Sequence, residues 1–177
     1  MTATTGVVVR HARESDLEAI QRIYNHEVAH GTATWDEEPW PMERRHAWFT
    51  EHDALCPLLV VEADGQVVGF AALSRMSQKS GWRFTREDTI YLDPGWRGRG
   101  LGKRLLGDLL AEAWRIGMHV VAASITSENE VSIALHRRLG FEVVGTLREA
   151  GLKFGRRLST TYMQVVRPEG EQGPGQL

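Results

Sequence analysis

The sequence is short of the residues that build disulfides, zinc sites and membrane spans. Its 177 residues include one cysteine, Cys56, which excludes an internal disulfide and a zinc site made of cysteines. No window of about 20 apolar residues is present, as a membrane-spanning helix needs, and the first residues lack the pattern of a secretory signal peptide. We therefore expect a cytoplasmic protein with no membrane partner. Cys56 precedes Pro57 and an apolar run, so we expect a buried thiol.

The chain also lacks an excess of either charge. Lys and Arg total 21 against 23 Asp and Glu, a formal net charge of −2, so the overall charge gives no reason to expect a nucleic acid as partner. The apolar content of 42% is ordinary for a globular protein. The length predicts one domain over residues 1–167. The Gly-, Pro-, Glu- and Gln-rich tail, 168–177, is predicted to be disordered.

The hydrophobic pattern predicts an α/β domain with elements in the order β-α-α-β-β-β-α-β-α-β-β. A capping box at Ser15-Asp16-Leu17-Glu18 is expected to start the first helix, and Asn129 is expected to cap the last. An Asp64-Gly65 pair predicts a hairpin turn. The other helices are expected over 44–52 and 101–117, and the strands over 6–10, 58–62, 67–73, 85–92, 120–125, 141–144 and 160–166.

The most informative stretch is Arg97-Gly98-Arg99-Gly100-Leu101-Gly102-Lys103, between a predicted strand and a predicted helix. Alternate glycines let the backbone bend tightly and approach a ligand closely. The amides and dipole of a helix start favour an anion, and three cationic side chains add positive charge, so we predict a diphosphate site. The stretch is not a P-loop, because Leu101 follows Gly100, and a dinucleotide-binding G-x-G-x-x-G pattern breaks at Lys103. A glycine-rich turn with solvating arginines is the alternative.

Read as R-x-x-G-x-G, the stretch resembles the pyrophosphate loop of the GCN5-related N-acetyltransferases. Further motifs resemble the phosphinothricin and methionine-sulfoximine acetyltransferase family within that superfamily: Trp35–Glu38, Phe70–Ala72, Glu87-x-x-Ile90-Tyr91-Leu92, Ser127–Asn129, Ser132–Phe141 and Lys153–Arg156. The resemblance implies a mixed, strongly twisted sheet flanked by about four helices. It also implies acetyl-CoA as co-substrate, a small-molecule amine as substrate, and a homodimer.

The resemblance further implies roles for single residues. Glu87 falls where the family has its catalytic base, and His136 falls where many relatives place the group that protonates the leaving thiolate. Glu87 could instead be a surface residue paired with Arg86 or Lys79, and His136 could bind the cofactor or lie on a helix surface. The cofactor is expected to contact the backbone of Ile90, Tyr91 and Leu92, the loop residues Arg97, Gly98, Arg99, Gly100, Leu101, Gly102 and Lys103, and Asn129.

The substrate contacts that the resemblance implies depend on a loop that departs from the family pattern. They comprise Ser77, Gln78, Lys79, Arg83, Glu87, Asp88 and Thr89, with Asp88 on the opposite strand face from Glu87. The family's Trp-Arg-Pro-Phe run is replaced here by Met76-Ser77-Gln78-Lys79, while Arg83 could still grip a substrate carboxylate. We expect an acetyl-CoA-dependent N-acetyltransferase acting on a small amino acid or analogue. Acetylation of peptide N-termini or polyamines, and a non-catalytic acyl-CoA sensor, stay open as alternatives.

Overall fold

A computed structural model describes residues 6–170, which form a seven-stranded mixed sheet with helices on both faces. The order across the sheet is β1-β2-β3-β4-β5-β7-β6, and all neighbours are antiparallel except β4 and β5. The predicted α/β class, with a mixed sheet flanked by four helices, is confirmed. The elements are β1 (Val8–His11), α1 (Leu17–His30), α2 (Met42–Thr50), β2 (Leu58–Ala63), β3 (Gln66–Arg75), β4 (Thr85–Leu92), α3 (Leu101–Arg115), β5 (Val120–Thr126), α4 (Glu130–Arg138), β6 (Glu142–Lys153) and β7 (Arg156–Val166).

Alternation along the strands produces two cores, one on each face of the sheet. On one face, α3 packs against alternate residues of β2 and β3, with α4 at its margin. On the other face, α1 packs against Val60, Phe70 and Ala72, with α2 beside it. Strand β4 follows the same rule, because Tyr91 joins the α1 core and Leu92 joins the α3 core. This alternation places Glu87 and Asp88 on opposite faces, as predicted.

Several local predictions are also confirmed. Asp64 and Gly65 have φ values of 51° and 76°, the left-handed pair that a tight hairpin turn requires. The Asn129 side chain accepts a hydrogen bond from the backbone N–H of Ser132 at 3.1 Å and so caps α4. Cys56 is buried. No helix of residues 6–170 is long and apolar enough to cross a membrane.

Two predictions about elements are wrong. Ser15 does not cap α1: it lies in a 3₁₀ turn, and Asp16 instead accepts the backbone N–H of Arg13 at 2.7 Å. The last two strands are longer than predicted, because β6 continues to Lys153 through two irregularities near Gly145 and Gly151. Such bulges interrupt strand periodicity without ending the strand. Most of the predicted tail, from residue 171 on, lies outside the described residues.

Candidate active site

A crevice opens in the sheet where its two parallel strands separate. β4 and β5 are paired only from Thr85 to Glu87 on the β4 side, although β4 continues to Leu92. Beyond Glu87 the backbone of β4 therefore has no strand partner on its β5 side. The space between the strands is about 60 Å³ and is bordered by Asp88 to Tyr91, by Ser124 to Thr126 and by Asn129, Ser132 and His136 of α4. An extended ligand that adds to a strand edge fits such a gap.

The glycine-rich stretch lies at the start of α3, directly after β4. Gly98 and Gly100 have φ values of 74° and 79°, which an L side chain rarely adopts, and a Cβ atom at either position would have no neighbour within 4 Å. Gly100 is the N-cap of α3, so the amides of the first helical turn have no partner within the helix. Positive helix-end charge and open space occur together here, as an anion site needs.

Arg97 is held in place by α1. Its guanidinium donates to the Glu27 carboxylate at 3.0 Å and to the backbone carbonyl of Leu92 at 3.2 Å. The other carboxylate oxygen of Glu27 accepts the backbone N–H of Ala33 at 3.1 Å. No sequence pattern indicated a role for Glu27. Its buried side chain connects the glycine-rich stretch to the loop that follows α1.

His136 is buried against Asp88 rather than exposed on a helix surface. Its Nδ1 lies 2.7 Å from the backbone carbonyl of Ser132, and its Nε2 lies 3.2 Å from Asp88 Oδ1. The two side chains are 1% and 3% exposed. Burial alone would lower the pKa of His136, but the hydrogen bond and charge of Asp88 outweigh burial and raise it. No sequence pattern indicates this pair, which joins residues 48 positions apart.

Glu87 lies on the opposite face of β4 and is half-buried. Burial raises the pKa of its carboxyl group above the ordinary value, and the neighbouring charge of Asp88 raises it further. Within residues 6–170 the Glu87 side chain forms no ion pair, so the alternative of a surface pair with Arg86 or Lys79 is not seen. Arg86 instead donates to backbone carbonyls, including that of Leu55 at 2.8 Å.

A wider hollow of about 390 Å³ lies on the α1 face, next to the crevice. The two spaces share Ala33, Tyr91, Ser124 and Thr126. The hollow is also bordered by Trp35 and by residues of the β6–β7 hairpin: Leu147, Ala150, Thr160 and Tyr162. Its walls are therefore aromatic, aliphatic and hydroxyl groups without a charged side chain, and a small molecule with an apolar body fits them.

The hairpin fixes the loop that forms one wall of the hollow. The buried Lys153 ammonium donates to the Thr34 carbonyl at 2.7 Å, and the Trp35 indole donates to Thr126 Oγ1 at 2.9 Å. A side chain at Gly151 would begin 2.2 Å from the Trp35 ring, so only glycine lets the strand approach the indole this closely. Burial lowers the pKa of Lys153. The two sequence motifs are therefore in contact: Lys153 binds the residue before Trp35, and the Trp35 ring packs on Gly151, two residues before Lys153.

The remaining expected substrate residues lie elsewhere. Arg83 is exposed at the end of a 3₁₀ turn, where its guanidinium reaches the Ser80 carbonyl at 3.4 Å and lies 4.6 Å from the Phe84 ring centroid. The residues that border neither the crevice nor the hollow are Ser77, Gln78, Lys79, Arg83 and Glu87. Asp88 and Thr89 border the crevice, as do Ile90 and Tyr91. No group of three metal-ligating side chains occurs in the part of the chain that the structure describes.

Comparisons with known proteins show the family to which the chain belongs. The sequence pattern of the acetyltransferase (GNAT) family matches residues 18–141. An L-methionine sulfoximine/L-methionine sulfone acetyltransferase of Salmonella typhimurium is 41% identical over 164 residues, which cover 92% of this chain and 96% of that protein. A phosphinothricin N-acetyltransferase of Alcaligenes faecalis is 38% identical over 167 residues, covering 92% of this chain and 83% of that protein.

A solved structure is similar over the same length. It is a GNAT superfamily phosphinothricin acetyltransferase from Sinorhizobium meliloti in complex with acetyl-CoA. The TM-score is 0.89 at 37% sequence identity, and the match covers 93% of this chain and 90% of that one. The separated strands and the glycine loop therefore occur in a chain whose overall fold matches that of an acetyl-CoA-binding protein.

Proposed function

Because the chain belongs to the acetyltransferase (GNAT) family, we propose that it transfers acetyl from acetyl-CoA to the amino group of a small amino acid or analogue. Acetyl-CoA is the co-substrate. The observation that carries the proposal is the separation of β4 and β5 directly beyond Glu87. It opens a crevice along the part of β4 that leads into the glycine-rich stretch, and the crevice shares lining residues with the hollow. We also propose a cytoplasmic location, where acetyl-CoA is available.

Acetyl-CoA binds with its diphosphate at the start of α3 and its pantetheine arm in the crevice. The first-turn amides of α3 and the Lys103 side chain bind the diphosphate. Arg99, whose guanidinium donates to the Gly95 carbonyl at 3.0 Å, adds positive charge to the same loop. Arg97 acts mainly by holding the loop, since Glu27 and Leu92 already occupy its guanidinium. The free β4 edge from Thr89 to Leu92 offers backbone groups to the arm, as a partner strand would. Asn129 borders the crevice while it caps α4.

Glu87 removes a proton from the substrate ammonium, directly or through a water molecule. An alkylammonium has a pKa near ~10, so the amine needs a base before it can attack. A carboxyl group whose pKa is raised by burial is a stronger base than an exposed one, and Glu87 has no competing cation within the described residues. The amine then attacks the thioester carbonyl directly, without an acyl-enzyme intermediate.

His136 protonates the departing thiolate. It borders the crevice from the α4 side, opposite the face that carries Glu87. Separating the base and the acid on two faces of one strand lets each keep its own protonation state. The hollow holds the body of the amine, with Trp35, Tyr91 and Tyr162 as its aromatic walls.

We still propose that the substrate carboxylate is bound by Arg83 and the Ser77–Lys79 loop. Since they border neither space, they would have to act at the outer margin of the site or after the loop moves. An α-carboxylate would then explain a preference for amino acids over simple amines.

A homodimer is proposed from the exposed edge of the sheet. β6 is the last strand in the order, and its exposed apolar side chains include Val143, Val144, Leu147 and Leu152. A long apolar edge strand invites pairing with another chain, and Leu147 also borders the hollow, so a second copy would cover its mouth. Leu147→Glu should shift the protein from dimer to monomer in analytical ultracentrifugation. Val8→Glu on the opposite edge strand is the control.

An assay of CoA release across a panel of amines tests the proposed function. We expect the protein to release CoA from acetyl-CoA when it is given amino acids such as methionine sulfone and phosphinothricin. With polyamines, or with peptides that have free N-termini, we expect no release. Release only with peptides would favour N-terminal acetylation. Tight acetyl-CoA binding with no release for any amine would favour a sensor.

A further inference from the structure

Asp88 and His136 form a buried pair at the edge of the crevice. We infer that Asp88 is a positioning residue that keeps His136 protonated beside the crevice, and that the pair acts as one acid unit. This inference rests on the proposed acetyl transfer, because its role is to supply the thiolate with a proton. It gives Asp88 a function other than the substrate contact that the sequence suggested.

The hydrogen bonds of His136 define where its protons lie. A backbone carbonyl only accepts, so the Ser132 contact at 2.7 Å requires a proton on Nδ1. The other ring nitrogen, Nε2, lies 3.2 Å from Asp88 Oδ1. An ionised Asp88 carboxylate accepts a hydrogen bond from a protonated Nε2, so the ring is an imidazolium whose two N–H groups both donate. A neutral ring would leave a buried carboxylate without a donor, which is costly.

No other charged group among residues 6–170 competes for this pair. The ring edge meets Phe141 of the segment before β6, with ring centroids 4.8 Å apart. Arg137 and Arg138, the neighbours of His136 on α4, are exposed. Glu87, the neighbour of Asp88, is on the other face of β4. The second oxygen of Asp88 is buried without a hydrogen-bond partner in the described residues, so the imidazolium is the one cation that neutralises this carboxylate.

The proton transfer balances with the acetyl transfer. As the tetrahedral intermediate collapses, the C–S bond breaks and its electron pair stays on sulfur. The Nε2–H bond of the imidazolium breaks and an S–H bond forms, directly or through a water molecule in the crevice, and neutral His136 keeps its Nδ1 proton on the Ser132 carbonyl. The nitrogen of the new amide loses its second proton to a water molecule. After products leave, Glu87 returns its proton to solvent and neutral His136 takes one proton from solvent, so each cycle releases one proton in all.

Asp88→Asn separates the charge of Asp88 from its shape. The Asn amide can donate to Nε2 of a neutral ring while Nδ1 still donates to Ser132, so every hydrogen bond is kept and the transferable proton is lost. The kcat at neutral pH should fall by about 10²-fold, the low end for one proton-transfer group, with the acetyl-CoA affinity nearly unchanged. Asp53→Asn, which removes an exposed carboxylate bonded to Arg75 at 3.2 Å, is the matched control.

The pH profile of kcat distinguishes this role from a purely structural one. Without the negative charge of Asp88, burial lowers the pKa of His136, so the alkaline limb should move to lower pH by about 1–3 units. The acid limb, assigned to Glu87, should also move to lower pH, because Asp88 no longer helps to raise the Glu87 pKa. A profile with both limbs in the wild-type position would overturn the inference and leave the proposed acetyl transfer intact.

Nitrogen NMR of the wild-type ring tests the charge state without any activity. The His136 signals are assigned by their loss in His136→Gln. Both ring nitrogens should be protonated at pH 7, and the ring should titrate above the ordinary histidine value of about 6.5. A ring protonated only at Nδ1 at pH 7 would overturn the inference, even if Asp88→Asn failed to fold. Absence of CoA release by the wild-type protein with every amine would instead refute the proposed function.

Discussion

Gly100→Val tests the phosphate loop, and Gly65→Val provides a control with nearly the same backbone strain. Gly100 has a φ of 79° and Gly65 a φ of 76°, and a side chain at either position would meet no atom within 4 Å. Both variants should therefore lose stability mainly through the left-handed backbone conformation, which costs roughly 1–2 kcal/mol. For a chain of this size we expect the Tm of each variant to fall by about 2–8 °C.

The two variants should differ in acetyl-CoA affinity. Gly65 lies in the β2–β3 turn, whereas Gly100 is the N-cap of α3. A branched side chain at Gly100 occupies the space through which a diphosphate reaches the first-turn amides. Loss of one charge-assisted hydrogen bond costs about 1.5–3 kcal/mol, which corresponds to a Kd raised roughly 10- to 150-fold.

Isothermal titration calorimetry with acetyl-CoA measures this difference. Thermal unfolding of both variants, followed by circular dichroism, shows whether the backbone strain is matched. If Gly100→Val lost stability to the same extent as Gly65→Val but kept the wild-type Kd, the diphosphate would have to bind elsewhere. The assignment of Arg97–Lys103 to the cofactor would then be wrong.

Three further predictions concern catalysis and substrate binding. Glu87→Gln should lower kcat by roughly 10²–10⁴-fold with little change in acetyl-CoA Kd, and a near-wild-type kcat at neutral pH would remove Glu87 from the mechanism. Arg83→Lys should reduce the preference in kcat/KM for amino acids over their decarboxylated amines, because Lys cannot form a two-bond contact with a carboxylate; an unchanged preference would make Arg83 structural. Gly151→Ala should raise the KM for the amine by displacing Trp35, while Gly145→Ala, on the same strand with no atom within 4 Å, should not; equal KM values would show that Trp35 does not shape the amine site.

The sequence predicted the elements of the fold well where hydrophobic periodicity was uninterrupted. β4 begins and ends at the predicted residues, and α3 begins at the predicted Leu101. β6 was predicted to end at Val144 but continues to Lys153, because bulges at its glycines hide the alternation. Ser15 satisfied the capping-box pattern, but the N-cap residue of α1 is Asp16, whose side chain makes no capping bond because it accepts the backbone N–H of Arg13.

Burial of charged groups was the part of the site that the sequence could not reveal. Arg45 reads as a surface residue of α2, yet it is 1% exposed among the rings of Tyr24, Trp40 and Trp48. His136 was predicted to protonate the thiolate, with a cofactor contact or a helix-surface position as alternatives, and its burial against Asp88, 48 residues away, was not predicted. A single sequence carries no signal for such pairings. A charged residue occupies the same place in the hydrophobic pattern whether its side chain is solvated by water or paired with a buried side chain.

The same reasoning explains why motifs that were recognised separately belong to one site. The Glu27 carboxylate accepts a hydrogen bond from Arg97 of the glycine-rich stretch, 70 residues away in the chain. The Glu27 backbone carbonyl accepts one from Lys153, 126 residues away, at 3.3 Å. Ala33 follows Glu27 closely in the chain and borders both the crevice and the hollow. The end of α1 therefore aligns the acetyl-CoA side with the amine side through fixed hydrogen bonds. Alignment of two reactants supplies a large part of an enzyme's rate enhancement, so residues remote from the transferred acetyl group can still control its transfer.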